Sequence, residues 1–418
     1  MKMTVKNLCL EKEKSELIQN KIAVLRLMGY IGVQFNSLLV PLLVFNITNS
    51  VSLAGLALIV EWIFKLIFYV IGGAFVEKYQ SKNIHIGLEI TRLICLFFVL
   101  AGTLGLVSIW IIAVCAAVYQ CANALSNILF ERVVTTSWEK ELRPQGHARL
   151  FQKDQLGCLL ALLLGLIVKS LFVLSLIAII VQFLTVVGVL RYSKEIHVSN
   201  MKSKNFFSQL KQDIKFINQT EIWKFFTMSF LVSIPIAFVF SAIVFFIESS
   251  KIDSTATTSY SLSFLLLVKT ALSLSVLQIM RKYLLISFNE KSLAYAGLTL
   301  VLITGLILTQ SISFILFVTI ASIMGASLCL YLPWLRSQRQ EIINKNIPIS
   351  SRAGVTGIMI AGEALSYLMA ALIMFAFAKN LFLALFVTCV LASIGFYLAL
   401  VLNKSDENQD LYVKIEKQ

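Results

Sequence analysis

Long apolar runs separated by short polar segments make up most of the chain. Twelve of the runs are long enough to cross a bilayer, because a helix needs about 20 apolar residues to span about 30 Å of hydrocarbon. They form two sets of six on either side of one long polar segment. The runs are 22–45, 54–76, 84–102, 106–130, 150–168 and 170–191, then 224–247, 258–280, 288–308, 312–334, 354–376 and 380–403.

This pattern predicts an all-α membrane protein of twelve transmembrane helices in two pseudo-symmetric six-helix bundles. The bundles cover 22–191 and 224–403, with a cytoplasmic linker at 192–223 between them. A cytoplasmic N-tail at 1–21 and a C-tail at 404–418 complete the chain. Equal halves joined by a linker indicate an internal duplication, with the substrate site between the halves.

Within the linker, "FFSQLKQDIKFI" at 206–217 has apolar residues at helical spacing. The segment is either a short helix lying on the membrane surface or a solvated connector, and the spacing does not separate the two.

Composition and charge support a membrane protein. Hydrophobic residues make up 58% of 418 and charged residues 14%, whereas a soluble domain has about 25% charged residues. The net charge is +14, but 27 of the 36 Lys and Arg lie in the two tails and in the alternate polar segments 77–83, 135–149, 191–224, 281–291 and 335–353. By the positive-inside rule, both termini are cytoplasmic and the chain lies in the cell (inner) membrane. The excess of positive charge is therefore explained by membrane topology and does not indicate nucleic-acid binding.

Several kinds of chemistry find no support in the sequence. The seven cysteines have no metal or redox spacing, and six lie in or beside apolar runs as small hydrophobic residues do. There is no Walker loop, long catalytic domain or metal cluster. We expect no cofactor, no metal site, no enzyme activity and no ATP-driven transport. A charged stretch precedes the first run, so no cleavable signal is expected.

The loop after the second run carries a recognisable motif, "GAFVEKYQSK" at 73–82. It resembles the loop motif of the major facilitator superfamily, Gly-x-x-x-Asp-Arg-x-Gly-Arg-Arg/Lys. Gly73 matches the first glycine, and Glu77 stands for the Asp. Lys78 stands for the Arg and Lys82 for the last base.

The match is partial, since Gln80 and Ser81 depart from the pattern and the equivalent second-half loop keeps only Arg281 and Lys282. The motif nevertheless lies after span two of twelve, where the superfamily has it. The resemblance implies the superfamily fold and secondary active transport by alternating access.

The resemblance also implies a gate on the cytoplasmic side. Gly73 would let the end of span two approach a neighbouring helix closely. Glu77 would face the N-terminus of span eleven, where the partial positive charge of the helix and Arg352 favour a carboxylate. The alternative is a charged loop that serves only topology.

Charged residues inside the runs are the main candidates for function, because a charge in hydrocarbon costs about 3 kcal/mol on insertion scales. Lys65, Lys269 and Glu363 lie roughly 15 Å into their spans at 1.5 Å per residue. Glu61 shares a face of span two with Lys65 by its four-residue spacing. Asp154 in span five lies only roughly 6 Å from the cytoplasmic edge.

In the superfamily fold, helices two and eleven meet at one seam between the halves, and helices five and eight at the other. The resemblance therefore implies that Lys65 could face Glu363, and that Asp154 could face Lys269. Such residues are charge partners of a substrate, proton carriers or gates, or else structural ion pairs that fix helix register.

Two further sets of charges have local explanations. Lys153 and Arg149 offer neutralisation to Asp154 from its own helix. Glu89 and Arg92, three residues apart on span three, suit a structural pair because that helix is peripheral in the superfamily fold.

Amide side chains extend the predicted lining of a central cavity. Gln120, Asn123 and Asn127 recur at helical spacing and form one stripe on span four. These amides either bind a polar substrate or tie helices together. The other candidates are Gln34 and Asn36 in span one and Gln152 and Gln155 in span five, and Pro235 predicts a kink in span seven.

The segment "SSRAGVTGIMIAGEAL" at 350–365 resembles the exporter branch that includes macrolide and siderophore efflux proteins. This resemblance implies efflux of a drug or siderophore by a monomer, with H⁺ as the coupling ion. All three histidines lie at span ends or in loops, so proton coupling would fall on Glu61, Asp154 or Glu363.

Three alternatives stay open. Span five, "GCLLALLLGLIV" at 157–168, lacks the proline of the antiporter motif Gly-x-x-x-Gly-Pro-x-x-Gly-Gly. Uptake of a peptide-like or anionic solute is therefore one alternative, and a non-transporting sensor or scaffold is another. A membrane-bound transferase fits less well, because the loops are short and most candidate acids lie deep.

Overall fold

The computed structural model is helical in the parts that it describes. It divides into two compact units, Met1–Phe206 and Phe207–Gln418. The described residues are 5–48, 51–78, 82–137, 143–168, 170–192, 206–217, 222–234, 237, 271, 335–336, 339–348, 351–376 and ten positions between 383 and 397.

The described residues up to 192 form six helices, one for each predicted span of the first set. α1 and α4 extend beyond the predicted spans, because 5–21 and 131–137 are also helical. The helices are α1 (Val5–Thr48), α2 (Val51–Lys78), α3 (Lys82–Thr103), α4 (Ile109–Ser137), α5 (Arg143–Ile167) and α6 (Leu171–Tyr192).

The turn between α3 and α4 depends on one glycine. Gly105 has φ of 70°, a left-handed conformation that a residue with a Cβ adopts only at a cost. Its N–H donates to the carbonyl of Gly102 at 3.0 Å, and the N–H of Leu106 donates to the carbonyl of Ala101 at 3.0 Å. These bonds end α3 and turn the chain into α4.

The core of the first unit lies where α1 contacts α3, α4, α5 and α6. Phe35, Ile112, Tyr119 and Ala161 are fully buried there. Large apolar side chains point outward from the same helices, among them Trp110, which is 74% exposed. Water would make such a surface unfavourable, but hydrocarbon does not.

Six helices among the described residues are long and apolar enough to cross a membrane. They show a multi-pass membrane protein, but not all twelve predicted spans. They are Asn20–Thr48, Ile59–Val76, Asn83–Thr103, Ile109–Arg132, Leu171–Tyr192 and Arg352–Ala370.

α5 is not among these six, although a span was predicted at 150–168. The helix nevertheless covers all but the last residue of that predicted span. Of the predicted spans 258–280, 288–308 and 312–334, only Ala271 lies within the described residues.

The described part of the second unit has its own core. α7 (Phe206–Ile217) lies in the predicted linker, and α8 (Ile222–Ile234) and α9 (Arg352–Ala376) follow. Ile222, Met228, Ile343, Val355 and Met359 pack together, so α8, α9 and the helical segment at 339–346 share this core. Pro235, the predicted kink, lies outside the described residues.

Candidate functional site

A bidentate ion pair joins α1 to α5 inside the first unit. Arg26 Nε donates to Asp154 Oδ1 at 2.6 Å, and Nη2 donates to Oδ2 at 2.9 Å. Nη1 donates to Asn127 Oδ1 on α4, and Asn127 Nδ2 donates to the Tyr69 hydroxyl on α2 at 2.8 Å. Because both charges are buried, this two-bond geometry is what makes the pair tolerable away from water.

Gly157 explains why the two helices come close enough for this pair. A Cβ at Gly157 would lie 3.0 Å from the carbonyl oxygen of Leu27 and 3.3 Å from the Ile31 backbone nitrogen, so the α5 backbone touches α1. Asp154 is three residues before Gly157 and therefore on the same face of α5. It meets Arg26, which directly precedes Leu27.

Arg26 is a partner of Asp154 that the sequence did not indicate. Neutralisation by Lys153 or Arg149 was considered, but Arg26 holds the carboxylate, and Arg149 Nη2 donates to Asn20 Oδ1 instead. Arg26 was overlooked because it lies near the start of the first run, where a long side chain can reach the interface. Lys269 lies outside the described residues, so its pairing with Asp154 stays a prediction.

A second polar cluster lies between α2 and α4. Gln120 Nε2 donates to Glu61 Oε2 at 3.1 Å, and Asn123 Nδ2 donates to Gln120 Oε1 at 3.3 Å. Glu61 is 4% exposed, and its other oxygen, Oε1, has no hydrogen-bond partner among the residues that the structure describes. Lys65, one turn further along α2, has its ammonium 4.1 Å from the ring centroid of Trp62.

The three amides of span four lie on one face of α4. Gln120 reaches Glu61 and contacts Asn123, while Asn127 reaches Arg26. Because these positions span two turns of one helix, they form a polar line that leads from the Glu61 cluster to the Arg26 pair.

The other amides predicted to line the cavity differ in how deeply they are buried. Asn36 on α1 is fully buried, and within the described part of the chain both polar atoms of its amide lack a hydrogen-bond partner. Such a group is rare in a protein interior and marks a candidate ligand contact. Gln34, Gln152 and Gln155 are half-buried.

Glu89 and Arg92 form a third network, which ties four helices together. Arg92 Nη1 donates to Glu89 Oε2 at 2.8 Å, and Nη2 donates to the carbonyl of Gly29 on α1 and the hydroxyl of Tyr119 on α4. Gln182 Nε2 on α6 donates to Glu89 Oε2 at 2.7 Å. These contacts are consistent with the prediction that Glu89 and Arg92 are a structural ion pair.

In the second unit, Glu363 contacts a residue that the sequence analysis had assigned to a loop. Arg339 Nη1 donates to Glu363 Oε1 at 2.6 Å, and Arg339 is almost fully buried. Arg339 was overlooked because it belongs to the basic segment 335–353. The expected pairing of Glu363 with Lys65 would join residues of different units and stays a prediction.

The predicted gate falls only partly within the described side chains. Those of Glu77, Lys78 and Lys82 lie outside, so their roles stay predictions. Gly73 is buried, and a close helix approach is found at its neighbour Gly72, where a Cβ would lie 2.5 Å from Leu125 Cδ2 on α4.

Arg352 contacts the segment that precedes its own helix. Its Nε donates to the Ile347 carbonyl at 3.1 Å, and Nη2 donates to the Asn344 carbonyl at 3.0 Å. Arg352 thus caps the end of the helical segment at 339–346.

A different carboxylate, Asp213 of α7, lies against the start of α9. Gln209 Nε2 donates to Asp213 Oδ1 at 2.8 Å and contacts Ser351 Oγ at 2.9 Å. Asp213 Oδ2 lies over Gly354 so closely that no Cβ would fit there. Burial raises the pKa of Asp213 to about 6 despite the hydrogen bonds from Gln209 and Ser351, which lower it. Asp213 was not among the residues predicted from the sequence.

Within the parts of the chain that the structure describes, no group of three or more His, Cys, Asp or Glu side chains is placed to hold a metal ion.

No protein-family model matches the chain, and no curated protein matches its sequence. Solved structures do share its fold. A crystal structure of a bacterial homologue of the iron transporter ferroportin in an outward-facing state has a TM-score of 0.70 at 13% identity, covering 93% of this chain and 99% of that one. A crystal structure of such a homologue in the same state with soaked iron has a TM-score of 0.67 at 12% identity, covering 92% and 99%.

These neighbours are homologues of a transporter and not enzymes. At such low identity the likeness concerns the fold alone. This chain is therefore a multi-pass, helical membrane protein that shares its fold with these two structures.

Proposed function

We propose that the chain is a secondary active transporter that exports a small organic solute by alternating access, driven by a proton gradient. The observation that carries this proposal is the Glu61 cluster. A carboxylate and several amides are buried inside membrane-spanning helices, where polar groups are expensive unless they bind a substrate or an ion. Among the described residues, Glu61 Oε1 and both amide atoms of Asn36 have no hydrogen-bond partner, which supports a role in binding a ligand.

The substrate class follows from the chemistry of these groups. One carboxylate with neutral amides suits a polar or cationic organic solute, and the resemblance to the exporter branch at 350–365 favours a drug or a siderophore. A second candidate is a divalent metal ion, which the names of the structural neighbours favour. A metal ion prefers several anionic oxygens, and the carboxylates of Asp154 and Glu89 are already bound by arginines.

Flux measurements with the purified full-length chain in liposomes would test this function. We expect saturable movement of a macrolide or a ferric siderophore when a pH gradient is imposed. Movement of Fe²⁺ alone, detected by quenching of trapped calcein, would establish the second candidate. Uptake of a peptide-like or anionic solute would support a permease. If no substrate moves in either direction, the chain is not a transporter of these classes.

We further propose that Glu61 binds the coupling proton. Glu89, Asp154 and Glu363 are each paired with an arginine. The groups that face Glu61 from α4 are the amides of Gln120 and Asn123. Lys65, on the same helix α2, interacts electrostatically with Glu61.

Replacing Glu61 with glutamine should separate transport from the proton gradient. The amide fills the same volume and can still pair with Gln120, so we expect normal insertion and thermal stability. Solute exchange in the absence of a gradient should persist, whereas gradient-driven accumulation should fall at least about tenfold, as for the loss of a positioned proton carrier. The two fluxes would be measured side by side in proteoliposomes.

Glu341→Gln is the matched control, because Glu341 is an exposed carboxylate of the second unit. It should leave both fluxes unchanged. Full proton-driven accumulation by the Glu61→Gln protein would remove Glu61 from the coupling mechanism.

A further inference from the structure

On the linker helix α7, large apolar side chains and lysines are exposed, whereas two polar side chains are buried. A helix in water would bury its apolar side chains instead. Phe207 is 76% exposed and Ile214 is 47% exposed. Lys211 and Lys215 are exposed beside them. The polar residues of α7 that are buried, Gln209 and Asp213, lie on the opposite side.

Helical geometry groups these outward residues into two adjacent strips. At 3.6 residues per turn, Phe207 and Ile214 lie about 20° apart on the helix. Lys211 and Lys215 follow at about 40° and 80° from Phe207. One flank of the exposed face is therefore apolar and the next flank is basic.

Contacts with α9 set the level of α7 relative to the membrane. Gln209 reaches Ser351, and Asp213 lies over Gly354, in the first turn of the membrane-spanning segment that begins at Arg352. A helix attached to the first turn of a span lies where that span enters the bilayer. Its apolar flank is thus at the height of the boundary between head groups and acyl chains.

We propose that the exposed face of α7 binds anionic phospholipid of the membrane that the protein spans. Phe207 and Ile214 enter the acyl boundary, and Lys211 and Lys215 contact lipid phosphates. This arrangement is typical of interfacial helices with aromatic and aliphatic residues on one side and lysines on the other. Lys202 and Lys204, just before α7 in sequence, add to the positive charge. The proposal does not depend on which solute the protein moves.

Charge complementarity favours lipid over a protein partner. The cytoplasmic leaflet carries anionic lipid that attracts basic segments close to a membrane span. The linker has the highest count of Lys and Arg of any loop in the sequence. Binding here would tie the linker to the membrane while Gln209 and Asp213 hold it to the start of α9.

Hydrogen–deuterium exchange of the peptide 206–217 in the full-length protein would test the proposal. The protein would be placed in nanodiscs of phosphatidylcholine alone and in nanodiscs with an equal share of phosphatidylglycerol. We expect slower exchange in the anionic nanodiscs, by about fivefold for each lysine that contacts the surface. Added salt should remove this difference.

Two double variants separate the contributions of the two flanks. Lys211→Gln with Lys215→Gln should abolish the difference between the two lipids and keep the protection that both share. Phe207→Ser with Ile214→Ser should lower the protection in both. Lys345→Gln, an exposed lysine of the same unit, should change neither.

Equal exchange rates in the two lipids, or a difference that persists in the lysine variant, would overturn the proposal. If 206–217 exchanges as slowly in lipid-free detergent as in the nanodiscs, another part of the protein covers this face, and lipid does not.

Discussion

Replacing Arg26 with methionine is expected to destabilise the first unit by about 3–5 kcal/mol, because it leaves the carboxylate of Asp154 buried without its counter-charge. Asp154 is 1% exposed in the side chain, so water cannot take the place of the guanidinium. The variant also removes the hydrogen bond to Asn127. Thermal unfolding of the purified protein in one detergent would measure the loss.

The double variant Arg26→Met with Asp154→Leu is the decisive comparison. Removing both charges together replaces the pair with apolar side chains, which is often neutral or stabilising. The double variant should therefore be more stable than Arg26→Met alone, and the two effects should not add. Arg149→Met, which loses only an exposed contact with Asn20, should change stability by less than about 0.5 kcal/mol.

The same variants separate structure from transport. A double variant that is stable but does not move solute would place the Arg26 pair in the transport cycle. A stable double variant with normal flux would assign the pair to fixing the contact between α1 and α5. If Arg26→Met alone proves as stable as the natural protein, the buried ion pair does not have the role given to it.

The hydrophobic pattern predicted the helices of the first unit well, because long apolar runs have only one way to satisfy their backbone in a membrane. It also placed Gln120, Asn123 and Asn127 on one face of α4. Residues three and four positions apart share a face of any helix, so this prediction needed no knowledge of how the helices pack.

The sequence did not predict which side chains meet between helices. Arg26 and Asp154 are far apart in the chain, and nothing in the runs shows that Gly157 brings their helices into contact. Arg339 was predicted to lie in a cytoplasmic loop because the surrounding segment 335–353 is basic. Its side chain nevertheless reaches Glu363 in a membrane span. Pairing of this kind depends on interhelical packing and on long side chains, which a one-dimensional pattern does not record.

The sequence also did not predict which face of the linker helix contacts the rest of the protein. Helical spacing of apolar residues left open whether 206–217 lies on the membrane or in solvent. The contacts of Gln209 and Asp213 reveal which side faces the protein, and so leave the apolar residues outward. A clue existed in the sequence, because Gln209 and Asp213 are four residues apart and share a face.

Replacing Gly354 with alanine is expected to detach α7 from the start of α9. A Cβ at this position would lie far inside van der Waals distance of Asp213 Oδ2, and the carboxylate would have to leave. Alanine by itself favours a helix over glycine by about 1 kcal/mol, so any destabilisation must come from this clash. Faster hydrogen exchange in 206–217 would report the detachment, while the first unit should keep its exchange pattern.

Shortening the clashing side chain should reverse the effect. Gly354→Ala combined with Asp213→Ala makes room for the new methyl group, and exchange in 206–217 should slow again relative to Gly354→Ala alone. Gly87→Ala is the matched control, because a Cβ at Gly87 meets nothing within 4 Å. Undisturbed protection of α7 in the Gly354→Ala protein would contradict the close contact.

The docking of α7 should also depend on pH, and the sign follows from the raised pKa of Asp213. Its pKa is about 6 in the folded protein against an ordinary value of 3.8, so the docked state binds more protons than the detached state between these values. Docking is therefore most favourable below the ordinary value and weakens as pH rises through about 6, by about 3 kcal/mol in total. Exchange in 206–217 should be slower at about pH 5 than at about pH 8 after correction for intrinsic rates. Asp213→Asn cannot titrate and should remove this dependence, whereas a variant that kept the full pH response would show that another group governs the contact.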